Sequence, residues 1–189
     1  MTRTDEELMA AYVGGDAGAF RELFERYGPV LERWLRRWVR SESLVQDLVQ
    51  QTFLQVHRAR RDFREGASLR PWVLAIAHNL AREQGRRRLR RPEVLTSMDG
   101  WHEPAVETGG QAQAEAALDL GPALERLPPG QREVVLLHWA EGMSYREIAQ
   151  VLGTSSVAVR VRAHRAYAAL RKILEASNGD GEPSIHKEE

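Results

Sequence analysis

The 189-residue chain is 42% apolar, balances 27 Lys and Arg against 27 Asp and Glu, and contains no cysteine. A chain of this length holds one ordinary globular domain or two small ones, and the missing cysteines exclude disulfides and thiolate zinc sites. The six histidines lack ligand spacing, so neither a metal nor a cofactor is expected. The longest apolar run, Trp72 to Ala77, is far too short to cross a bilayer, and the polar amino terminus has no signal-peptide layout, so a cytoplasmic location without membrane insertion is expected.

Along the chain, Asp5 to Val13 predicts a short helix stopped by Gly14 and Gly15, and Asp16 is placed to cap the next. Phe20, Leu23, Phe24, Tyr27, Leu31, Trp34, Leu35 and Trp38 keep helical phase across Gly28 and Pro29, which predicts one long helix kinked at the proline. Val45, Val49, Thr52, Phe53 and Val56 give the third helix its buried side. Its other side carries Asp47, Gln50, Gln51, Leu54 and Arg58 at helical spacing, a polar strip with one exposed leucine. Spacing alone makes that strip a solvated face before it makes it a partner surface.

Periodicity breaks from Arg60 to Ser68, leaving Phe63, Arg64 and Gly66 in a loop. Ser68 is placed to cap a helix with Pro71 in its first turn; Leu69, Trp72, Val73, Ile76, Ala77 and Leu80 form the core stripe, and Asn79, Arg82 and Arg86 share the other face. A loop aromatic, an amide and a row of guanidiniums together suit single-stranded DNA, by stacking, base-edge hydrogen bonding and phosphate contact. Charge is segregated: residues 55–91 hold eleven Arg against three acids, and residues 92–117 hold five acids and no Lys or Arg. The zero net charge therefore conceals surfaces fitted to a polyanion.

Residues 92–117, with prolines, Gly109-Gly110 and no sustained apolar pattern, read as a flexible linker between two domains. Leu118 to Leu127 predicts a helix stopped by Pro128-Pro129, and Gln131 to Glu141 another; His138, with no matching acid or nucleophile, is an interior or rim residue. The most restrictive pattern comes next. Ser144 and Glu147 have capping-box spacing, Gly153 sits where a helix exit needs positive φ, and Thr154 or Ser155 can cap the second helix of the pair. Val159, Ala163, Ala166, Leu170 and Ile173 form one apolar stripe on that helix opposite Val157, Arg160, Val161, His164, Arg165 and Lys172, with no acid between Glu147 and Glu175. Small Ala149, turn Gly153 and buried Val159 in that order are the requirements of a helix-turn-helix. The tail, residues 175–189, is expected to be disordered.

Three matches in order carry a family resemblance: Gln46-Asp47-Leu48-Val49-Gln50-Gln51-Thr52-Phe53, then Pro71 through Ala81, then Leu127-Pro128 through Arg171. The chain resembles a bacterial RNA polymerase sigma factor of the sigma-70 class, in particular its short extracytoplasmic-function type. The resemblance implies an all-α fold of two small helical domains: a region 2 bundle over 1–91 and a region 4 helix-turn-helix over 118–174. The 92–117 linker joining them would stand in for region 3 in the polymerase channel. The resemblance also implies no enzymatic activity, a promoter-directing role, and as partners core RNA polymerase through its beta and beta-prime subunits, promoter DNA and an anti-sigma factor. Asp47, Leu48, Gln50, Gln51 and Leu54 become polymerase contacts. Phe63, Arg64, Ser68, Asn79, Arg82 and Arg86 become contacts to the melted minus-10 element, and Ser155, Ser156, Arg160, Val161, His164 and Arg165 become contacts to the minus-35 element. Arg162 is assigned to phosphate or an internal ion pair, and Val157-Ala158 replaces a common Gly-Thr pair. Two rivals remain, a stand-alone dimeric helix-turn-helix regulator and a helical enzyme or scaffold with incidental basic faces.

Overall fold

The structure, a computed structural model, describes residues 3–39, 41–89 and 121–179. The whole of the expected linker, the arginines at 90 and 91, residues 118–120 of the helix expected from Leu118, and residues 180–189 lie outside them. Among the described residues every regular element is helical.

The amino-terminal bundle contains α1 (Asp5–Val13), α2 (Ala17–Arg36), α3 (Glu42–Ala59) and α4 (Leu69–Leu89), with a 3-10 turn at Arg60–Asp62. Thr4 and Glu7 form a capping box on α1, and Asp16 accepts the amides of Gly18 and Ala19 at the start of α2. α2 runs unbroken through Pro29, as its apolar phase predicts, and buries Leu31, Trp34 and Leu35 completely. Phe24 departs from the predicted stripe: it is exposed, with its ring 4.5 Å from that of Phe53. The Tyr27 hydroxyl donates to Asp5 at 2.7 Å and fastens α1 to α2.

α4 begins differently from expectation. With Ser68 as cap, Pro71 stands at the third helical position and has no N–H to offer its hydroxyl. The Leu69 amide instead donates to the carboxylate of Glu6, 3.0 Å away on α1, and a negative charge there also complements the helix dipole.

The carboxyl-terminal part has a helical segment at 121–125, then α5 (Pro129–Trp139), α6 (Tyr145–Leu152) and α7 (Ser156–Gly179). Arg132 is buried and donates to the carbonyls of Leu124, Glu125 and Leu127, closing the carboxyl end of the segment ahead of it. α7 continues past Leu174, the expected end of region 4, because nothing between Glu175 and Asn178 breaks a helix already formed; the first glycine comes at 179.

The two parts share a core. Val134, Leu137, Met143, Ile148, Ala149, Val151, Val159 and Ala163 form one continuous buried cluster with residues of α1 to α4. α6 lies against α4, so α4 is covered on one side by its own bundle and on another by the helix-turn-helix.

Candidate nucleic-acid interface

The helix-turn-helix is built from local chemistry. The Ser144 hydroxyl accepts the Glu147 amide, and the Glu147 carboxylate accepts the Ser144 amide at 2.8 Å, fixing the start of α6. Gly142 and Gly153 take φ of 64° and 60°, the left-handed region that glycine enters at no steric cost. Thr154 then donates its N–H back to the Ala149 carbonyl at 3.0 Å, and the Ser155 hydroxyl accepts the Ala158 amide at 3.1 Å to open α7. Val159, Ala163, Ala166 and Leu170 are buried beneath α7, as the stripe predicts. Val157, Arg160, Val161, His164 and Arg165 stand exposed on the opposite side. None of the α7 cations pairs with an acid among the described residues, so the face keeps its full positive charge. His138 is structural: its Nδ1 lies 2.6 Å from the Met143 carbonyl and its ring packs on Tyr145.

A second cationic surface runs along α4, where Asn79, Arg82 and Arg86 are exposed on one face and Arg64 is exposed in the preceding loop. Phe63 in that loop is half-buried, its ring 5.3 Å from that of Trp72, and Gly66 turns the chain at φ 75°. Beside the loop is a hollow of about 490 Å³ lined by Phe63, Gly66, Glu65, Ala10, Val13 and the α1 carboxylates Glu6 and Glu7. On α3, Asp47, Gln50, Gln51 and Leu54 form an exposed strip; Leu54 is 46% exposed. On the outer side of α5 and α7, Leu124, Val135, Trp139, Tyr167 and Leu170 line an apolar groove of about 360 Å³.

Between the two parts runs a charged seam. Glu141 has no exposed side-chain surface and is bracketed by Arg37 at 3.0 Å and Arg70 at 2.6 Å. Farther along, His78 and Glu133 approach to 3.1 Å. Burial pushes the Glu133 carboxyl up to about 7, against the pull of Arg82 and Arg162, and burial with the nearby Arg82 holds the His78 imidazole down to about 4. At neutral pH this is a contact between a neutral ring and a partly protonated acid, not a formed ion pair. Arg82, Glu133, Thr154 and Arg162 line a cleft of about 550 Å³ there.

Family models decide the identity of this assembly. Residues 23–91 match sigma-70 region 2 and residues 117–170 match sigma-70 region 4. The chain is 37% identical over 166 residues to the RNA polymerase sigma factor CarQ of Myxococcus xanthus, covering 88% of this chain and 95% of that one. The chain belongs to the sigma-70 family of RNA polymerase sigma factors. It is 34% identical to the extracytoplasmic-function sigma factor SigM of Mycobacterium tuberculosis, over 91% of this chain and 85% of that one. The solved structure of CnrH in complex with the cytosolic domain of CnrY superposes with a TM-score of 0.64 at 31% identity, over 91% of this chain and 97% of that one. This sigma factor is thus an extracytoplasmic-function type that directs RNA polymerase to promoters.

Most of the expected contact residues of regions 2 and 4 lie on open surface. Leu48 is not among them: it is only 2% exposed, because it projects into the bundle one position ahead of buried Val49. Ser155 is exposed but engaged as a cap, and Ser156 is half-buried in the first turn of α7. Arg162, placed near the buried edge by its phase, is exposed and faces the seam cleft. Sequence reading missed Glu6, Arg37, Arg132, Glu133 and Glu141. Their partners lie across turns or in distant parts of the chain, and no periodicity marks such pairings.

Proposed function

We propose that this sigma factor works by dividing promoter recognition between its two regions. Region 4 reads duplex minus-35 DNA: Arg160, His164 and Arg165 contact bases and phosphates, Val161 meets thymine methyl groups, and Ser155 and Ser156 set the amino end of α7 against the backbone. Region 2 docks on the beta-prime subunit through Asp47, Gln50, Gln51 and Leu54. It holds the melted minus-10 strand with Phe63, Arg64, Ser68, Asn79, Arg82 and Arg86, and the hollow beside Phe63 is large enough to receive an unstacked base. The apolar groove at Trp139 and Tyr167 offers a further docking surface for core enzyme.

The observation that carries this reading is the unpaired, acid-free cationic face of α7 on a helix-turn-helix whose turns and caps are all in place. Catalysis belongs to the polymerase, and the chain acts in the cytoplasm. An anti-sigma factor is a further partner, in keeping with the CnrH structure, solved in complex with a domain of CnrY.

Footprinting with and without core polymerase tests the division of labour. Protection of both promoter elements should appear only with core present, and should fall steeply with salt. Protection of an inverted repeat by the free chain would instead favour a dimeric regulator.

A further inference from the structure

The cleft where α4, α5 and the turn into α7 meet carries positive charge that its own acid does not balance. Arg82 lines it from α4 and Arg162 from α7, and neither guanidinium has an ion-pair or hydrogen-bond partner among the described residues. The acid within their reach is Glu133. Burial pushes its carboxyl up and the two arginines pull it down; burial prevails and leaves it at about 7. Near neutral pH the acid is therefore only about half ionised, too little to neutralise two guanidiniums.

The same cleft is short of hydrogen-bond partners. His78, 1% exposed, lies 3.1 Å from Glu133 without hydrogen-bond geometry, so both its ring nitrogens and Glu133 Oε1 are buried with no partner. Gly130, another lining residue, is the second residue of α5, where a helix leaves its amides without intrahelical acceptors and its dipole is positive. Surplus cations and unanswered polar atoms around one hollow are satisfied together by a bound anion. At about 550 Å³ the cleft has the size of a small-molecule site, and Trp38, Pro129 and Leu152 add apolar wall for an organic portion. A nucleic-acid backbone is followed by cations spread over open surface, as on the outer side of α7; here two cations from different regions converge on one cleft.

We propose that this cleft is a binding site for a small organic phosphate, of the nucleoside diphosphate class, with Arg82 and Arg162 holding its phosphate groups. Protonated Glu133 can donate to a phosphate oxygen, whereas ionised Glu133 repels it, so binding is coupled to proton uptake. The other groups facing the carboxyl hold their charge near neutral pH: guanidiniums stay protonated, and the His78 imidazole, held down to about 4, stays neutral.

Isothermal titration of the full chain with ADP, in the absence of polymerase and DNA, tests the site separately from the promoter reading. Arg162→Ala should weaken ADP binding by about tenfold or more. Lys172→Ala removes the same charge from an exposed position on the same helix and should change it by less than about twofold. Arg162 is exposed, so the fold should survive its removal, as helical circular dichroism would show. Equal losses from the two variants, or no binding of millimolar ADP by the parent, overturn the site. ADP should also bind at least about tenfold more tightly than sulfate at pH 7; equal affinities overturn the organic-phosphate assignment. Sulfate keeps one charge state between pH 6 and 8 and reports the proton coupling. The parent should bind it about tenfold more tightly at pH 6 than at pH 8, following the protonated fraction of a group that titrates near 7. Glu133→Gln keeps a donor and cannot ionise, so it should bind sulfate at pH 8 as tightly as the parent does at pH 6. A pH dependence retained by Glu133→Gln, or binding weaker than the parent's at pH 8, overturns the part given to Glu133.

Discussion

Region 4 and region 2 each present a cationic surface, but they hold it in place by different means. In region 4 the positioning bonds are short-range: Ser144 with Glu147, Thr154 with Ala149, and Ser155 with Ala158. In region 2 the loop carrying Phe63 and Arg64 leads into a helix whose first amide is held by Glu6, 63 residues earlier. One surface is made by its own segment, the other by the assembled bundle. Damage to the bundle should therefore spread to the region 2 surface, whereas the α7 face should be separable from the stability of its helix.

The sharpest test of that separation is the triple change of Arg160, His164 and Arg165 to Ala. Promoter-directed run-off transcription should fall by about 100-fold or more, since each lost base or phosphate contact costs about 1–3 kcal/mol. The urea midpoint should barely move, because these side chains are exposed and unpaired. A comparable loss of stability would show that the face is structural.

Two leucines on α3 make the matching pair in region 2. Leu48→Ala should destabilise the chain by about 2–5 kcal/mol, as a buried leucine does. Leu54→Ala should leave stability within about 0.5 kcal/mol and weaken core-polymerase binding about tenfold. Equal effects on folding from both would remove the α3 strip as a docking surface.

The seam predicts a pH signature. Because the folded pKa of Glu133 is raised to about 7, its contribution is intact below about 4.5 and is lost as pH rises through 7. His78 works oppositely: its folded pKa near 4 leaves stability intact above about 6.5 and removes it as pH falls toward 4. The two slopes oppose each other between about pH 4.5 and 6.5, so stability there should be nearly flat. Glu133→Gln should then be more stable than the parent at pH 8, by up to about 3 kcal/mol, with the advantage vanishing near pH 4.5. Urea titrations at both pH values measure it; an advantage that grows toward acid pH would reverse the assignment.

The smallest expected effect compares two caps. Glu6→Ala and Ser144→Ala should each cost about 1 kcal/mol of stability. Glu6→Ala should also weaken binding of a minus-10 single strand by the holoenzyme, because the loop beside α4 loses its anchor, whereas Ser144→Ala should leave that binding unchanged.

The same division explains how much could be read from the residues. The all-helical fold, the unbroken α2 and the helix-turn-helix were legible because apolar phase, capping spacing and turn glycines act over a few residues. The α7 face was legible for the same reason. Leu48 and Phe24 went astray because helical phase gives a direction but not the neighbours met there: Leu48 finds the bundle, and Phe24 lies on Phe53 at the surface. Ser68 failed as a cap because Pro71, at the third helical position, has no N–H for its hydroxyl, and the Leu69 amide went to a carboxylate from α1. The Glu141 contacts join positions 71 and more residues apart, and an isolated glutamate before a glycine carries no mark of them.

Arg132 has a mechanical consequence. Its guanidinium rivets the segment at 121–125 and the turn after it to α5 through the carbonyls of Leu124, Glu125 and Leu127, and the turn that ends α5 inserts Glu141 into region 2. A pull on the backbone ahead of residue 121 would thus be transmitted through α5 as through a stiff lever, toward the place where the halves of the molecule are clasped, instead of being absorbed by fraying of the short helix.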